Sequence, residues 1–217
     1  LILEVDNIEL SYNDKKIIHS IYLRAETGKI TGILGRNGCG KTTLLRIIFG
    51  DLLPKYKNIR IDGTYQKSKL FTKNIIGYLP QNKLLPNSLK LSKAFKWYQL
   101  NWEQFTGTFT SFKKYKNLKI NELSSGELRV IETYLTLCSS KQIILLDEPF
   151  SFIAPIYIEK FKSLMESLKK EKLIILTDHF YRDILEISDS IYFLKNGYSK
   201  LIVTREDLEN EGYLIPN

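Results

Sequence analysis

Gly35-Arg36-Asn37-Gly38-Cys39-Gly40-Lys41-Thr42, followed by Thr43, sets a glycine, four residues and then Gly-Lys-Thr in a row. This is the order of a phosphate-binding loop. With glycine near 7% of ordinary usage, a chance match in such a chain is on the order of 1%, so a tight turn without chemistry is the weaker reading. Ile33 and Leu34 lead into the loop and the breaker-free run Thr42–Phe49 leaves it, so a strand is expected to pass into a helix at the glycines. Backbone N–H groups then converge where the helix dipole favours negative charge. Lys41 is expected to reach the β- and γ-phosphates, and the Thr42 hydroxyl to ligate Mg²⁺.

A pair of carboxylates lies far along the chain. Ile143-Ile144-Leu145-Leu146 runs directly into Asp147-Glu148-Pro149. An unbroken apolar run suits a parallel strand buried on both faces, which here ends in two acids. Asp147 falls where a phosphate-loop enzyme needs a carboxylate near Mg²⁺. Glu148, one residue farther out, is placed to polarise a water for attack on the γ-phosphate. A strand ending in Asp-Glu is moderate support by itself, and beside the phosphate loop it points to nucleotide hydrolysis.

Further short motifs follow in a fixed order: Tyr12 near a strand end, Gln81 in Tyr78-Leu79-Pro80-Gln81, Leu123-Ser124-Ser125-Gly126-Glu127, and His179 in Thr177-Asp178-His179. With the phosphate loop and the acidic strand, they make the chain resemble the nucleotide-binding domain of ATP-binding cassette (ABC) proteins over essentially its whole length. The resemblance implies an α/β fold, a P-loop NTPase of ABC type. It has a mostly parallel core sheet, an N-terminal antiparallel β-subdomain and an inserted helical subdomain. It implies one ABC ATPase domain over 1–217, with the core and β-subdomain at 1–81 and 126–217 and the helical subdomain at about 82–125. Glu148, His179 and Gln81 are the implied catalytic groups, and Thr42, Gln81 and Asp147 the Mg²⁺ ligands. ATP is implied to lie on Gly35 to Thr43, with Tyr12 stacked on adenine, and to meet Ser124, Ser125, Gly126 and Glu127 of a second ABC subunit. Separate transmembrane permease subunits and a peripheral place at the inner face of the plasma membrane complete the implied role. The transported substrate and its direction stay open.

Blander readings stand beside these. Ser124 fits a helix N-cap with Glu127 in capping-box spacing, a role compatible with the other. His179 alone reads as a surface histidine, and Tyr12 alone as an ordinary strand aromatic. The sequence also departs from the family pattern. Ser125 and Glu127 stand where the signature motif has glycine and glutamine, and Ala154, in Ser151-Phe152-Ile153-Ala154, replaces the D-loop aspartate. Alternatives of other classes are a soluble mechanical ATPase acting on nucleic acid or the ribosome and a regulatory module that binds ATP without turnover. The first would use the lysines and aromatics between Lys93 and Lys119; packing inside the helical subdomain is the favoured account of those rings, and direct nucleic-acid binding is not expected.

These residues need a framework to position them. The chain has 217 residues, 43% of them hydrophobic, which suits a folded globular protein. Its longest apolar runs are strand-sized, far short of the ~20 residues of a membrane span. Net charge is +8, from 32 Lys and Arg against 24 Asp and Glu; this permits anionic partners and selects none. The 2 cysteines and 2 histidines form no disulfide scaffold or zinc motif. No signal-peptide pattern opens the chain, so a reducing cytoplasm is the expected compartment, and Leu1 in place of methionine leaves room for preceding residues. Strands are expected at Ile2–Val5, Ile8–Tyr12, Ile17–Leu23, Ile30–Leu34, Ile59–Ile61 and Ile75–Leu79, with turns at Asn13-Asp14, Thr27-Gly28 and Asp62-Gly63. After a largely helical stretch with a loop near Gly107, the pattern becomes α/β. Helices are expected at Gly126–Cys138 and Tyr157–Lys169, and strands at Gln142–Leu146 and Leu173–Thr177. A hairpin around Asn196-Gly197 joins Ile191–Leu194 to Ser199–Val203.

Overall fold

The structure is a computed structural model that describes residues 1–12 and 15–215, without the side chains of Tyr12 and Lys15. The Asn13-Asp14 turn therefore lies outside the described residues. Two sheets follow two kinds of hydrophobic pattern. In the first, β1 (Ile2–Tyr12) pairs antiparallel with β2 (Lys15–Ile18), β3 (Tyr22–Glu26) and β5 (Tyr56–Ile61), and β5 pairs with β6 (Thr64–Tyr65). Its strands alternate, with Leu23 and Ala25 buried while Tyr22 and Arg24 face out, as a sheet wetted on one side requires.

The second sheet runs in the order β11 (Tyr198–Ile202), β10 (Ser190–Lys195), β4 (Ile30–Leu34), β9 (Leu173–Thr177), β8 (Ile143–Asp147) and β7 (Ile76–Leu79). Only β11 is antiparallel. Every residue of β4, β8 and β9 is buried, because both faces are covered. Ile143 and Leu145 pack with α1 (Lys41–Phe49) and the first sheet, whereas Ile144 and Leu146 pack toward α4 (Ser125–Cys138), α5 (Pro155–Leu168) and α6 (Tyr181–Ile187). A short helix α7 (Arg205–Asn210) follows β11.

The intervening segment holds α2 (Leu91–Trp97), α3 (Trp102–Thr108) and 3₁₀ turns at Thr110–Tyr115 and Ile120–Glu122. Its rings form core. Phe95, Trp102, Phe105, Phe109 and Phe112 are buried, with Phe105 4.8 Å from Tyr134 of α4 and Phe109 5.0 Å from Phe161 of α5, centroid to centroid. Such stacked and tilted pairs add to the apolar burial. Trp97, at 64% exposed, is the exception.

Local backbone chemistry corrects several expectations. Ile2–Val5 and Ile8–Tyr12 belong to one strand, because Asn7 takes a left-handed φ of 48° and the pairing with β5 shifts register there instead of ending. Ile17–Leu23 is instead two strands, broken at Ser20 (φ 53°). Gly107 lies inside α3 and the break comes at Phe109, whose φ of −108° and ψ of 70° leave the helix. Helix α5 begins earlier than expected, at Pro155, whose fixed φ and missing N–H suit a first helical position. The hairpin expectation holds, since Asn196 (φ 48°) and Gly197 (φ 81°) both adopt the left-handed values that a type I′ turn demands. Among the described residues no helix is long and apolar enough to cross a membrane.

Strands β4, β7, β8 and β9 run parallel and end at the same edge. Leu34, Leu79, Asp147 and Thr177 are their last residues, so the phosphate loop, Gln81, the acidic pair and His179 all leave one side of the sheet. In open α/β sheets that edge is where ligands bind.

Candidate active site

Gly35 opens the phosphate loop against the hairpin: a Cβ there would lie 2.4 Å from the Leu194 carbonyl oxygen and 2.5 Å from Cys39 Sγ. Only glycine fits. Gly40 precedes α1 with φ 107°, and no side chain caps that helix, so its first amides, which lack intrahelical partners, remain open to an anion. Lys41 is buried, and its Nζ donates to the carbonyl oxygens of Gly35 at 2.8 Å and Arg36 at 3.3 Å, crossing the loop it follows. Burial pushes the Cys39 thiol pKa up, against the pull of Lys41.

Thr42 Oγ1 donates to Asp147 Oδ1 at 3.2 Å, and Tyr78 OH to Asp147 Oδ2 at 3.1 Å. Asp147 is fully buried. Burial raises its pKa most; the Thr42 and Tyr78 hydrogen bonds pull it down, and the neighbouring Glu148 charge pushes it up. Tyr78 is raised as well, first by burial and then by the Asp147 charge. The buried Asp147 carboxylate beside the Thr42 hydroxyl offers hard oxygen donors of the kind Mg²⁺ takes.

Glu148 carries the densest set of contacts. His179 Nε2 lies 2.7 Å from its Oε1, while Gln81 Nε2 donates to its Oε2 at 3.0 Å and Ser151 Oγ to Oε2 at 3.3 Å. Glu148 itself is left-handed, φ 57°, and is tied by its N–H to the Thr177 carbonyl at 2.8 Å. Asp178 orders the turn that presents His179, accepting from Phe150 N at 2.8 Å and Phe180 N at 3.2 Å. A cavity of about 300 Å³ is lined by Asn37, Gly38, Gly40, Lys41, Thr42, Thr43, Gln81, Glu148 and His179. Residues quoted from distant parts of the sequence thus surround one space. Arg36 and Cys39 face a second, adjoining cavity of about 710 Å³, together with Lys16, Ile17 and Lys195.

The Ser124–Glu127 segment does not line the 300 Å³ cavity. Ser124 caps α4 in a capping box: Glu127 N donates to Ser124 Oγ at 3.3 Å, and Ser124 N and Oγ both donate to Glu127 Oε2 at 2.8 Å. Tyr115 OH donates to the other Glu127 oxygen at 2.7 Å and is the main reason that the Glu127 pKa is lowered. Gly126 lies under the loop after Glu148, where a Cβ would meet the Phe152 carbonyl oxygen at 2.4 Å. Ser125 shares a groove of about 640 Å³ with Gln81, Glu148, Phe152, His179 and Phe180. That face is exposed and apolar, with Phe152 82% and Phe180 49% accessible. The side chain of Tyr12 lies outside the described residues.

Residues 18–151 match the family model described as ABC transporter. The chain belongs to the ABC transporter family. It is 30% identical to the lipopolysaccharide export system ATP-binding protein of Haemophilus influenzae over 94% of this chain and 90% of that one. It is 30% identical to the zinc import ATP-binding protein of Wolbachia sp. subsp. Brugia malayi over 88% and 78%. Its fold is similar to a solved ATP-binding subunit of an ABC transporter, with TM-score 0.83, 21% identity, 98% of this chain and 94% of that one. The chain is thus an ABC ATP-binding subunit of the ATPase class, with the expected α/β architecture.

Tyr78, Arg129, Ser151 and Asp178 were not singled out from sequence. Arg129 had a readable signal, a cation inside the apolar run Leu128 to Ile131. Tyr78 had none, because a strand tyrosine reads as packing until its hydroxyl is placed against Asp147.

Proposed function

We propose that this chain binds Mg·ATP on the Gly35–Thr43 loop and hydrolyses it as one half of a head-to-tail pair of ABC subunits. The convergence of Lys41, Thr42, Gln81, Glu148 and His179 on one cavity carries this reading. Lys41 and the open amides of α1 hold the phosphates. Glu148 takes the role of the carboxylate that polarises water, oriented on one oxygen by His179 and on the other by Gln81. Thr42, Asp147 and Gln81 would hold Mg²⁺, which supplies neutralisation of phosphate charge when bound. Ser124, Ser125, Gly126 and Glu127 serve the second subunit's ATP, since none of them lines the phosphate-loop cavity of its own chain. Tyr12 is assigned to the adenine by family resemblance alone.

The chain works as one domain over 1–217, in which about 82–125 forms a helical subdomain sharing its aromatic core with α4 and α5. Separate membrane-spanning permease subunits take up the energy, which places this chain at the inner face of the plasma membrane. One relative is named for export and another for import. Burial of the Phe95 to Phe112 rings removes most of the stacking surface that a nucleic-acid ATPase would use.

Replacement of Glu148 by Gln tests the reading. The amide keeps the shape and loses the charge, so Mg-dependent hydrolysis is expected to fall by roughly 100- to 10,000-fold while ATP binding persists and an ATP-dependent dimer accumulates on size exclusion. Near-normal turnover in the folded variant removes Glu148 from this role.

A further inference from the structure

Arg129 is 5% exposed, about one turn into α4 from the Ser124–Gly126 end. Among the described residues its hydrogen bonds go to backbone carbonyls: Nη1 to Pro80 at 2.7 Å, Nη2 to Asp147 and, at 2.9 Å, to Glu148, and Nε to Glu148 at 3.1 Å. Those carbonyls belong to, or directly precede, the residues that carry the chemistry: Gln81 follows Pro80, and Asp147 and Glu148 are the acidic pair. The planar guanidinium fork suits such a set of fixed acceptors, where a lysine's single nitrogen does not. Burial presses the Arg129 pKa down, and the charges of Glu132, Asp147, Asp178 and Glu148 act against that. Glu132, on the same helix, accepts from Leu84 N and Leu85 N at 2.8 Å each, fastening the segment that follows Gln81. Glu148 needs such support, since its left-handed backbone costs of order 1 kcal/mol for a residue with a Cβ.

We infer that Arg129 is a positioning residue for hydrolysis, a buried clamp that ties Glu148 and Gln81 to the helix carrying Ser124 to Gly126. The inference rests on the proposed role of Glu148. One rigid element then holds the surface offered to the second subunit's ATP at its N-terminus and the water-polarising carboxylate of its own site about a turn later. Movement of α4 on closure of the pair is passed to Glu148 through the guanidinium. This link lies within the chain and needs no side chain at Ala154, the position at which the D-loop aspartate is missing.

The experiment compares Arg129→Gln and Arg129→Lys in the full chain, alone and combined with Glu148→Gln. Turnover and the Kd of a fluorescent ATP analogue are read separately. Arg129→Gln is expected to lower kcat about 10- to 100-fold, the scale of an ångström-level misplacement. The analogue Kd stays within about threefold, because the clamp does not touch the phosphate loop; Arg129→Lys, which keeps the charge, recovers part of kcat. In the Glu148→Gln background, Arg129→Gln is expected to bring no further fall in single-turnover rate, as for two residues acting through one group. Unchanged kcat in either folded Arg129 variant, a matching loss of analogue binding, or a full additional fall in the double variant each overturns the inference. If Arg129→Gln does not fold, Arg129→Lys decides by the same split of kcat from Kd. Normal hydrolysis by Glu148→Gln alone removes the parent reading and the inference together, whereas a dead Glu148→Gln beside fully active Arg129 variants removes the inference only.

Discussion

The phosphate loop and the Ser124 end of α4 are built differently. Around the phosphate loop the polar groups are already paired with one another: Thr42 and Tyr78 on Asp147, and His179 and Gln81 on Glu148, with both carboxylates buried. At the Ser124 end of α4 the groups close on themselves in a capping box, and the neighbouring Phe152 and Phe180 stand exposed. The first region is preorganised, with costs of orientation met during folding. The second has the character of a surface awaiting a partner, polar at the helix end and apolar beside it. On the proposed function, a subunit of this design would hold its own nucleotide alone and turn it over when a second copy supplies the missing side.

Removing a cation from the phosphate-loop region is expected to do more damage than any change at the Ser124 end of α4. Lys41→Ala deletes the ammonium that crosses to the Gly35 and Arg36 carbonyls and that, on the proposed function, meets the phosphates, so kcat/KM is expected to fall roughly 100- to 1,000-fold. Steady-state ATPase assays check it; activity near that of the unaltered chain would mean that the loop does not hold phosphate as described. In the partner-facing region the effects are smaller. Ala154 caps α5 without a side-chain hydrogen bond, and Ala154→Asp adds an acceptor there. If the loop after Glu148 crosses to the second subunit, one added hydrogen bond of ~0.5–1.5 kcal/mol raises basal turnover or its cooperativity by about two- to tenfold. An unchanged rate and Hill coefficient would indicate that the loop follows another path.

Glu127→Gln is expected to do least. Glutamine retains an acceptor for Tyr115 or for Ser124 but not the charge that strengthens both bonds, and solvent screening keeps the difference in unfolding free energy under about 1 kcal/mol. Its pH dependence is more telling. Because the folded pKa of Glu127 is lowered below 4.5, its contribution is present at neutral pH and is lost as pH falls through that lowered value. Chemical denaturation of the two proteins between pH 7 and pH 3 should show the curves converging in acid, and a constant gap would remove the capping-box charge from the account.

Much of this comparison was legible in the residues. The phosphate loop, the run from Ile143 into Asp147 and Glu148, and the Asn196-Gly197 turn each carry their geometry in local chemistry: glycines for close approach, continuous apolar residues for a strand covered twice, and a left-handed pair for a hairpin. Less legible were features decided by a single backbone torsion or by tertiary contact. Asn7 bends a strand without ending it, Ser20 ends one, and Gly107 continues a helix that composition would stop. The Arg129 clamp depends on carbonyls at Pro80, Asp147 and Glu148, and nothing in a sequence states where a carbonyl points. The aromatic stretch illustrates the same limit from the other side: Phe105 and Phe109 suit a stacking surface as well as a core until α4 and α5 are seen to cover them.

The most direct measurement of the central claim mixes two inactive proteins. Lys41→Ala disables nucleotide held by its own chain, and Ser124→Arg disables the surface offered to the partner's nucleotide. In a heterodimer of the two, one composite site bears both lesions and the other bears neither. ATPase activity reappearing on mixing, and rising with the heterodimer fraction, is the result expected if Ser124 acts across the interface. Heterodimers that form and stay as inactive as their parents would contradict the head-to-tail account.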